Sequence, residues 1–124
     1  MLNGDFFTIQ HTIQKEDATQ YLTHLNPNHK IYEGHFPGDP ICPGVCNVQT
    51  IRECAELKLG KKLRIDTIQV CRFAALITPT NSPDLLITLK LEEKDGNYAA
   101  VAQITSPDEA TLYLEYKGTY SIEG

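Results

Sequence analysis

Several things are scarce in this sequence, and each scarcity removes a class of function. Basic residues are outnumbered: 11 Lys and Arg stand against 16 Asp and Glu, a formal net charge of −5. Neutralising phosphates demands the opposite balance, so nucleic acid is not an expected partner. No uninterrupted apolar run approaches bilayer-spanning length, and the opening Met1-Leu2-Asn3-Gly4-Asp5 has no basic region leading into an apolar one. A cytoplasmic protein, neither exported nor inserted into a membrane, is expected. The cysteines at 42, 46, 54 and 71 include no Cys-x-x-Cys pair, and no His stands at zinc-finger spacing. They are expected to be free thiols used as small apolar core residues, with no metal or other cofactor. Internal repeats and low-complexity linkers are also missing.

What is present suits one compact unit. A chain of 124 residues is long enough for one core and too short for two ordinary domains. Hydrophobic residues at 41% and charged residues at 22% are those of a globular protein, not of a disordered one. Residues 1–124 are therefore read as a single domain whose site lies within one fold or between copies of it.

Alternation dominates the C-terminal half. Leu85, Ile87, Leu89 and Leu91 share a face opposite Leu86, Thr88, Lys90 and Glu92, the period of a half-buried strand. Lys94-Asp95-Gly96-Asn97 follows, and its Asp-Gly step suits a tight hairpin, with a strand predicted over 98–105. Ser106-Pro107-Asp108-Glu109 marks a further turn, and 111–122 alternates again with Leu112, Leu114, Tyr116 and Tyr120 on one face. Strands are also predicted over 6–13, 17–25 and 63–76, six in all. The Tyr residues 113, 116 and 120 are explained by packing.

A single stretch reads as helical, from Gly44 to about Leu59, between Pro43 and Gly60. Val48, Ile51 and Ala55 lie on one side, while Gln49, Arg52, Glu53 and Glu56 cluster on another. Because Val45, Cys46, Cys54 and Leu57 widen the apolar stripe, the sheet is expected to clasp this helix rather than lie flat beneath it. The class is α+β.

The segment before the helix is the most informative. Four of the seven prolines, 27, 37, 40 and 43, fall in it or at its end, and such density fixes backbone angles so that a few side chains are held in place. The run Gly34-His35-Phe36-Pro37-Gly38-Asp39-Pro40-Ile41-Cys42-Pro43-Gly44-Val45 closely resembles the signature of the hot-dog 3-hydroxyacyl-acyl-carrier-protein dehydratases of fatty-acid synthesis. The element order resembles that family over nearly the full chain, as do Arg72-Phe73 and the turn Asn81-Ser82-Pro83-Asp84, although a glycine often found in that turn is absent.

The resemblance implies a hot-dog fold, an antiparallel six-stranded sheet around a central helix, and removal of water from a 3-hydroxyacyl thioester. His35 would be the base, as suits an imidazole with an ordinary pKa of ~6.5. The Gly44 N–H at the helix start would polarise the thioester carbonyl. Phe36, Pro43, Val45, Glu53 and Phe73 would line the substrate site. It also implies a homodimer, or a higher oligomer, with His35 facing the partner's helix across an acyl tunnel.

One position departs from the pattern. Fourteen residues after the active His the family has Asp or Glu, and here stands Gln49, an amide that donates hydrogen bonds but supplies no titrating proton. Glu53, one turn on and ~6 Å away, could compensate. Three readings follow: a dehydratase in which Gln49 orients the substrate hydroxyl or a water, a hot-dog thioesterase, and a non-catalytic acyl-thioester-binding subunit. The substrate would ride on an acyl carrier protein or on coenzyme A. An acidic carrier would meet Lys61, Lys62 and Arg64, with Lys58, although lysines also favour a helix C-terminus for its dipole. His11, His24 and His29 have no acidic or Cys partner at useful spacing and are read as structural or exposed.

Overall fold

In the computed structural model the described residues are 2–30, 42–80 and 82–123. They form β1 (Phe7–Gln14), β2 (Thr19–Leu25), α1 (Gly44–Leu59), β3 (Leu63–Phe73), β4 (Asp84–Lys94), β5 (Asn97–Thr105) and β6 (Leu112–Ile122). The strands make one sheet in the order β1-β2-β4-β5-β6-β3, and every pairing is antiparallel. This sheet around one helix is the hot-dog architecture.

The predicted meander β4–β5–β6 is present, and its first turn has a clear cause. Asp95 and Gly96 both take positive φ, 52° and 83°, the pair of left-handed residues that lets a two-residue loop follow the strands' own twist. Asp108 organises the second turn by accepting from the Ser106 hydroxyl at 2.6 Å and the Ala110 N–H at 3.1 Å. Those bonds hold its carboxyl below the usual carboxylate range, the Ser106 bond most of all.

β3 stops at Phe73 rather than reaching 76. Beyond its last pair, Phe73 with Leu114, the N–H groups of Ala74 and Ala75 both turn to the Tyr113 carbonyl, so the ladder cannot continue. Gly118 of β6 allows β3 to approach, because a Cβ there would meet the Thr67 carbonyl oxygen at 2.5 Å. Burial on β4 is also wider than alternation predicts, with Leu86 buried alongside Leu85, Ile87 and Leu89. At that end both faces of the strand are covered.

α1 supplies Cys46, Ile51, Cys54 and Ala55 to a core shared with Tyr21, Ile87, Ile104, Leu114, Tyr116 and Tyr120. Each fully buried large side chain of this kind contributes about 1.5–3 kcal/mol relative to exposure. Gly60 ends the helix in the left-handed conformation, its N–H on the Glu56 carbonyl at 2.8 Å, as a Cβ-free residue does most readily. The helix is thereby packed into the core of the sheet, and its two ends present different chemistry.

Candidate active site

The first turn of α1 starts at Pro43, whose φ of −62° already suits a helix and whose side chain offers no cap. The earliest helical bonds run from Cys46 N and Asn47 N to the Pro43 carbonyl, at 3.0 and 3.3 Å. The N–H groups of Gly44 and Val45 precede this ladder, and among the described residues neither meets an acceptor. No acidic side chain occupies the turn. Among the described residues the tip is therefore a pair of uncapped donors at the positive end of the helix dipole.

Apolar side chains surround these donors. Val45 is 74% exposed and Phe73 54% exposed. The Phe73 ring lies against Gly44 so closely that a Cβ there would sit 2.7 Å from Cζ. The approach to the tip is fixed from below: the Cys42 N–H bonds the Ile77 carbonyl at 2.8 Å, and its thiol donates to Asn47 Oδ1 at 2.9 Å. The structure thus sets Phe73 against Gly44, whose chain neighbours are Pro43 and Val45.

Further along the helix the polar side departs from its expected exposure. Val45, Gln49 and Glu53 are spaced i, i+4, i+8 and share one stripe, yet Glu53 is 2% exposed. Its carboxylate accepts from the backbone N–H of Leu2, 2.9 Å to each oxygen, and of Asn3 at 2.9 Å. A third donor is Gln49 Nε2, at 2.9 Å from Oε2. Arg52, one turn after Gln49, donates from Nη2 to Gln49 Oε1 at 2.5 Å. The buried charge is thus compensated by charge-assisted bonds rather than by solvent. Sequence reasoning named Gln49 and Glu53 but missed Arg52 and the backbone of residues 2 and 3. The i, i+3 spacing of Gln49 and Arg52 was a signal for the first; nothing local signals the second.

Burial governs the titrating groups beneath α1. It pushes the Cys54 thiol up to about 12, with the Glu53 charge adding to the effect, and it raises Cys46 and Cys71 as well. These are free thiols held in the protonated, weakly nucleophilic form. Tyr120 is raised by burial first and by neighbouring Tyr116 next.

His35 and Phe36 belong to positions 31–41, outside the described residues. Lys58, Lys61 and Lys62 stand at the C-terminal end of the 16-residue α1, ~24 Å of helix from Gly44. Lys61 lies 5.9 Å from the Tyr98 ring centroid, and Lys62 and Arg64 are exposed. Two histidines do have acidic partners that spacing did not disclose: His24 pairs with Asp84 across the β2–β4 register at 2.8 Å, and His29 with Asp5 at 3.1 Å. His24 and Asp84 are half exposed and Asp5 is open to solvent, and pairs of that kind add little stability. Among the described residues no cluster of three or more His, Cys, Asp or Glu is placed to hold a metal. None of the described helices is long and apolar enough to cross a membrane.

One antiparallel six-stranded sheet around a single helix defines the hot-dog fold. The profile of the ApeI-like family, described as ApeI dehydratase, matches residues 10–111, and the chain belongs to that family. It is 28% identical over 97 residues to the 3-hydroxyacyl-[acyl-carrier-protein] dehydratase FabZ of Ligilactobacillus salivarius, covering 72% of this chain and 69% of that protein. The FabZ dehydratase of Polynucleobacter necessarius is 28% identical over 105 residues, 78% of this chain and 69% of the other. In structure the chain is similar to the dehydratase heterocomplex ApeI:P of Xenorhabdus doucetiae, with a TM-score of 0.67 and 19% identity over 90% of this chain and 95% of that one. At such identity the likeness concerns the fold.

Proposed function

We propose that this chain, a single hot-dog domain acting in the cytoplasm, is a 3-hydroxyacyl-acyl-carrier-protein dehydratase that forms a trans-2-enoyl thioester. The observation that carries the reading is the tip of α1, where among the described residues the Gly44 N–H has no acceptor and exposed Val45 and Phe73 stand beside it. A thioester carbonyl seated there accepts that N–H and gains the helix dipole, which stabilises enolate-like charge as it develops. His35 takes the proton from C2. The electron pair then forms the C2–C3 double bond, the C3–O bond breaks, and the departing hydroxyl takes the proton back from His35 to leave as water. Val45, Phe36 and Phe73 hold the acyl chain, and Gln49 bonds the oxygen of the leaving hydroxyl.

A homodimer completes the site. β3 is an edge of the sheet, with Ile68 and Val70 exposed along it; pairing with a second copy covers that edge and extends the apolar channel.

A second reading, a non-catalytic acyl-thioester-binding subunit, is favoured by one observation: position 49 is an amide, and the carboxylate one turn on, Glu53, is already engaged by Leu2 and Asn3. Mass spectrometry of 3-hydroxyacyl carriers of several chain lengths separates the two. Loss of one water is expected, and His35→Ala should slow it about 10²–10⁴-fold, the usual worth of a general base. No dehydration of any carrier by the parent, and no hydration of enoyl carriers, would leave the binding reading standing.

A further inference from the structure

Gln49 sits where the stripe Val45–Gln49–Glu53 passes from open to covered: Val45 is 74% exposed, Gln49 half-buried, and Glu53 2% exposed beneath the backbone of Leu2 and Asn3. Its two amide atoms are engaged by groups of opposite character. Oε1 accepts from the Arg52 guanidinium, which has donors only, and Nε2 donates to the Glu53 carboxylate, which when ionised has acceptors only. Turning the amide over would set N–H against N–H on one side and oxygen against oxygen on the other. Both hydrogen bonds would be lost and both contacts would become repulsive. The network fixes which end is which, and the second Nε2–H remains uncommitted among the described residues.

We propose that Arg52 and Glu53 are positioning residues that lock the Gln49 amide, so that Gln49 meets the acyl substrate as an N–H donor at a fixed place. The inference rests on the dehydratase reading for the identity of that substrate; the lock itself does not. Glu53 is then no substitute acid. Its role is to anchor the N-terminal backbone and to aim Gln49, which explains why a carboxylate is buried one turn from the position where a titrating group was expected. Arg52 supplies the other half of the lock, and its Nε is itself buried without a partner among the described residues, so the guanidinium is held by packing rather than by solvent.

The lock has a readout that needs no turnover. In a 15N-labelled full-length protein, the Gln49 side-chain amide is assigned by its loss in Gln49→Leu. Its two protons should be well separated and slow to exchange, and Arg52→Met should return them to the solvent-exposed glutamine range while Arg52→Lys keeps part of the separation. Gln49 protons in the free range in the parent overturn the lock, whether or not the protein proves to be a dehydratase.

Turnover tests the donor role. Gln49→Leu should lower kcat about 10²-fold, as loss of one aimed donor does. Arg52→Met should lower it about fivefold to tenfold with little change in KM, the worth of one ordinary hydrogen bond, and Arg52→Lys should recover part of that loss. Gln49→Glu places a carboxylate against Glu53, and two carboxylates in contact share one proton at raised pKa. Its kcat–pH profile should gain a limb, absent in the parent, that falls as that proton leaves. A Gln49→Leu enzyme with parental kcat, or a Gln49→Glu profile superimposable on the parent's, overturns the proposal while leaving dehydration by His35 intact.

Discussion

The first and third turns of α1 belong to one helix and are built on opposite terms. At the first turn, the Gly44 and Val45 N–H groups lack acceptors among the described residues and the apolar neighbours stand open. At the third, a charged carboxylate is buried and meets four bonds from three donor groups, the N–H of Leu2, the N–H of Asn3 and the Gln49 amide. Every helix start leaves such donors to caps, water or a ligand; on the proposed function this pair receives the thioester carbonyl. The saturated charge two turns further on holds the chain's first residues and the Gln49 amide against the helix. The contrast separates recognition from support on a single element.

The sharpest way to break that contrast is to fill the tip. Gly44→Ala puts a Cβ 2.7 Å from Phe73 Cζ, and the half-exposed ring must swing away over the space assigned to the thioester. Helix propensity favours Ala by about 0.5–1 kcal/mol, so the melting temperature should barely change while kcat/KM falls about 10²-fold. Phe73→Leu in the same background should restore part of the activity by relieving the contact. Calorimetry beside carrier kinetics checks both halves, and unaltered kinetics would remove the tip from the site.

The same contrast shows how far sequence reading reached. Helix bounds, the Asp95-Gly96 hairpin and the β4–β5–β6 meander follow from local rules, because caps, turn residues and alternation act within a few positions. The composition of the tip was also legible: Pro43, Gly44 and Val45 are adjacent in the chain. Phe73 reached the site only through resemblance. What stayed hidden depends on distant pairing. β3 ends beside β6 rather than next to β4, His24 finds Asp84 through strand register, and Glu53 is buried because residues 2 and 3, some fifty positions away, lie over it. A charge on the polar side of a helix reads as solvated until the segment that covers it is placed.

A milder test concerns the sealed inner side of the helix. Cys54 has its folded pKa pushed up to about 12 by burial first and by the Glu53 charge second, from an ordinary 9.0. Tyr21 is likewise pushed to about 12, by burial and then by Cys54. Raised acids keep their protons in the folded state after the unfolded chain has lost its own. Stability is therefore unaffected by these groups below about pH 9 and falls from there toward pH 12, by at most about 1.4 kcal/mol per pH unit for each proton. Denaturant midpoints should show this alkaline limb, and Cys54→Ala, less stable at pH 7, should show a shallower one. Alkylation of the native protein at pH 8 should spare Cys54. A limb of equal steepness in Cys54→Ala would mean that the thiol is not sealed.

The smallest effect is expected at the far end of the helix, at Lys61 and Lys62, the residues proposed from the sequence to meet an acidic carrier. Lys61 also reaches the Tyr98 hydroxyl at 3.4 Å, so part of its charge is spent on packing, and Lys62 is exposed to solvent. Exposed charges act over a Debye length of about 10 Å at 0.1 M salt. Reversing both to Glu should therefore raise KM for carrier-bound substrate several-fold at low ionic strength and far less at high salt, with kcat held. A neutral acyl-pantetheine thioester serves as the control, since it lacks the carrier's acidic surface and should be unaffected throughout. If carrier KM is unchanged at low salt, these lysines serve only the negative end of the helix dipole, and recognition rests with the open tip alone.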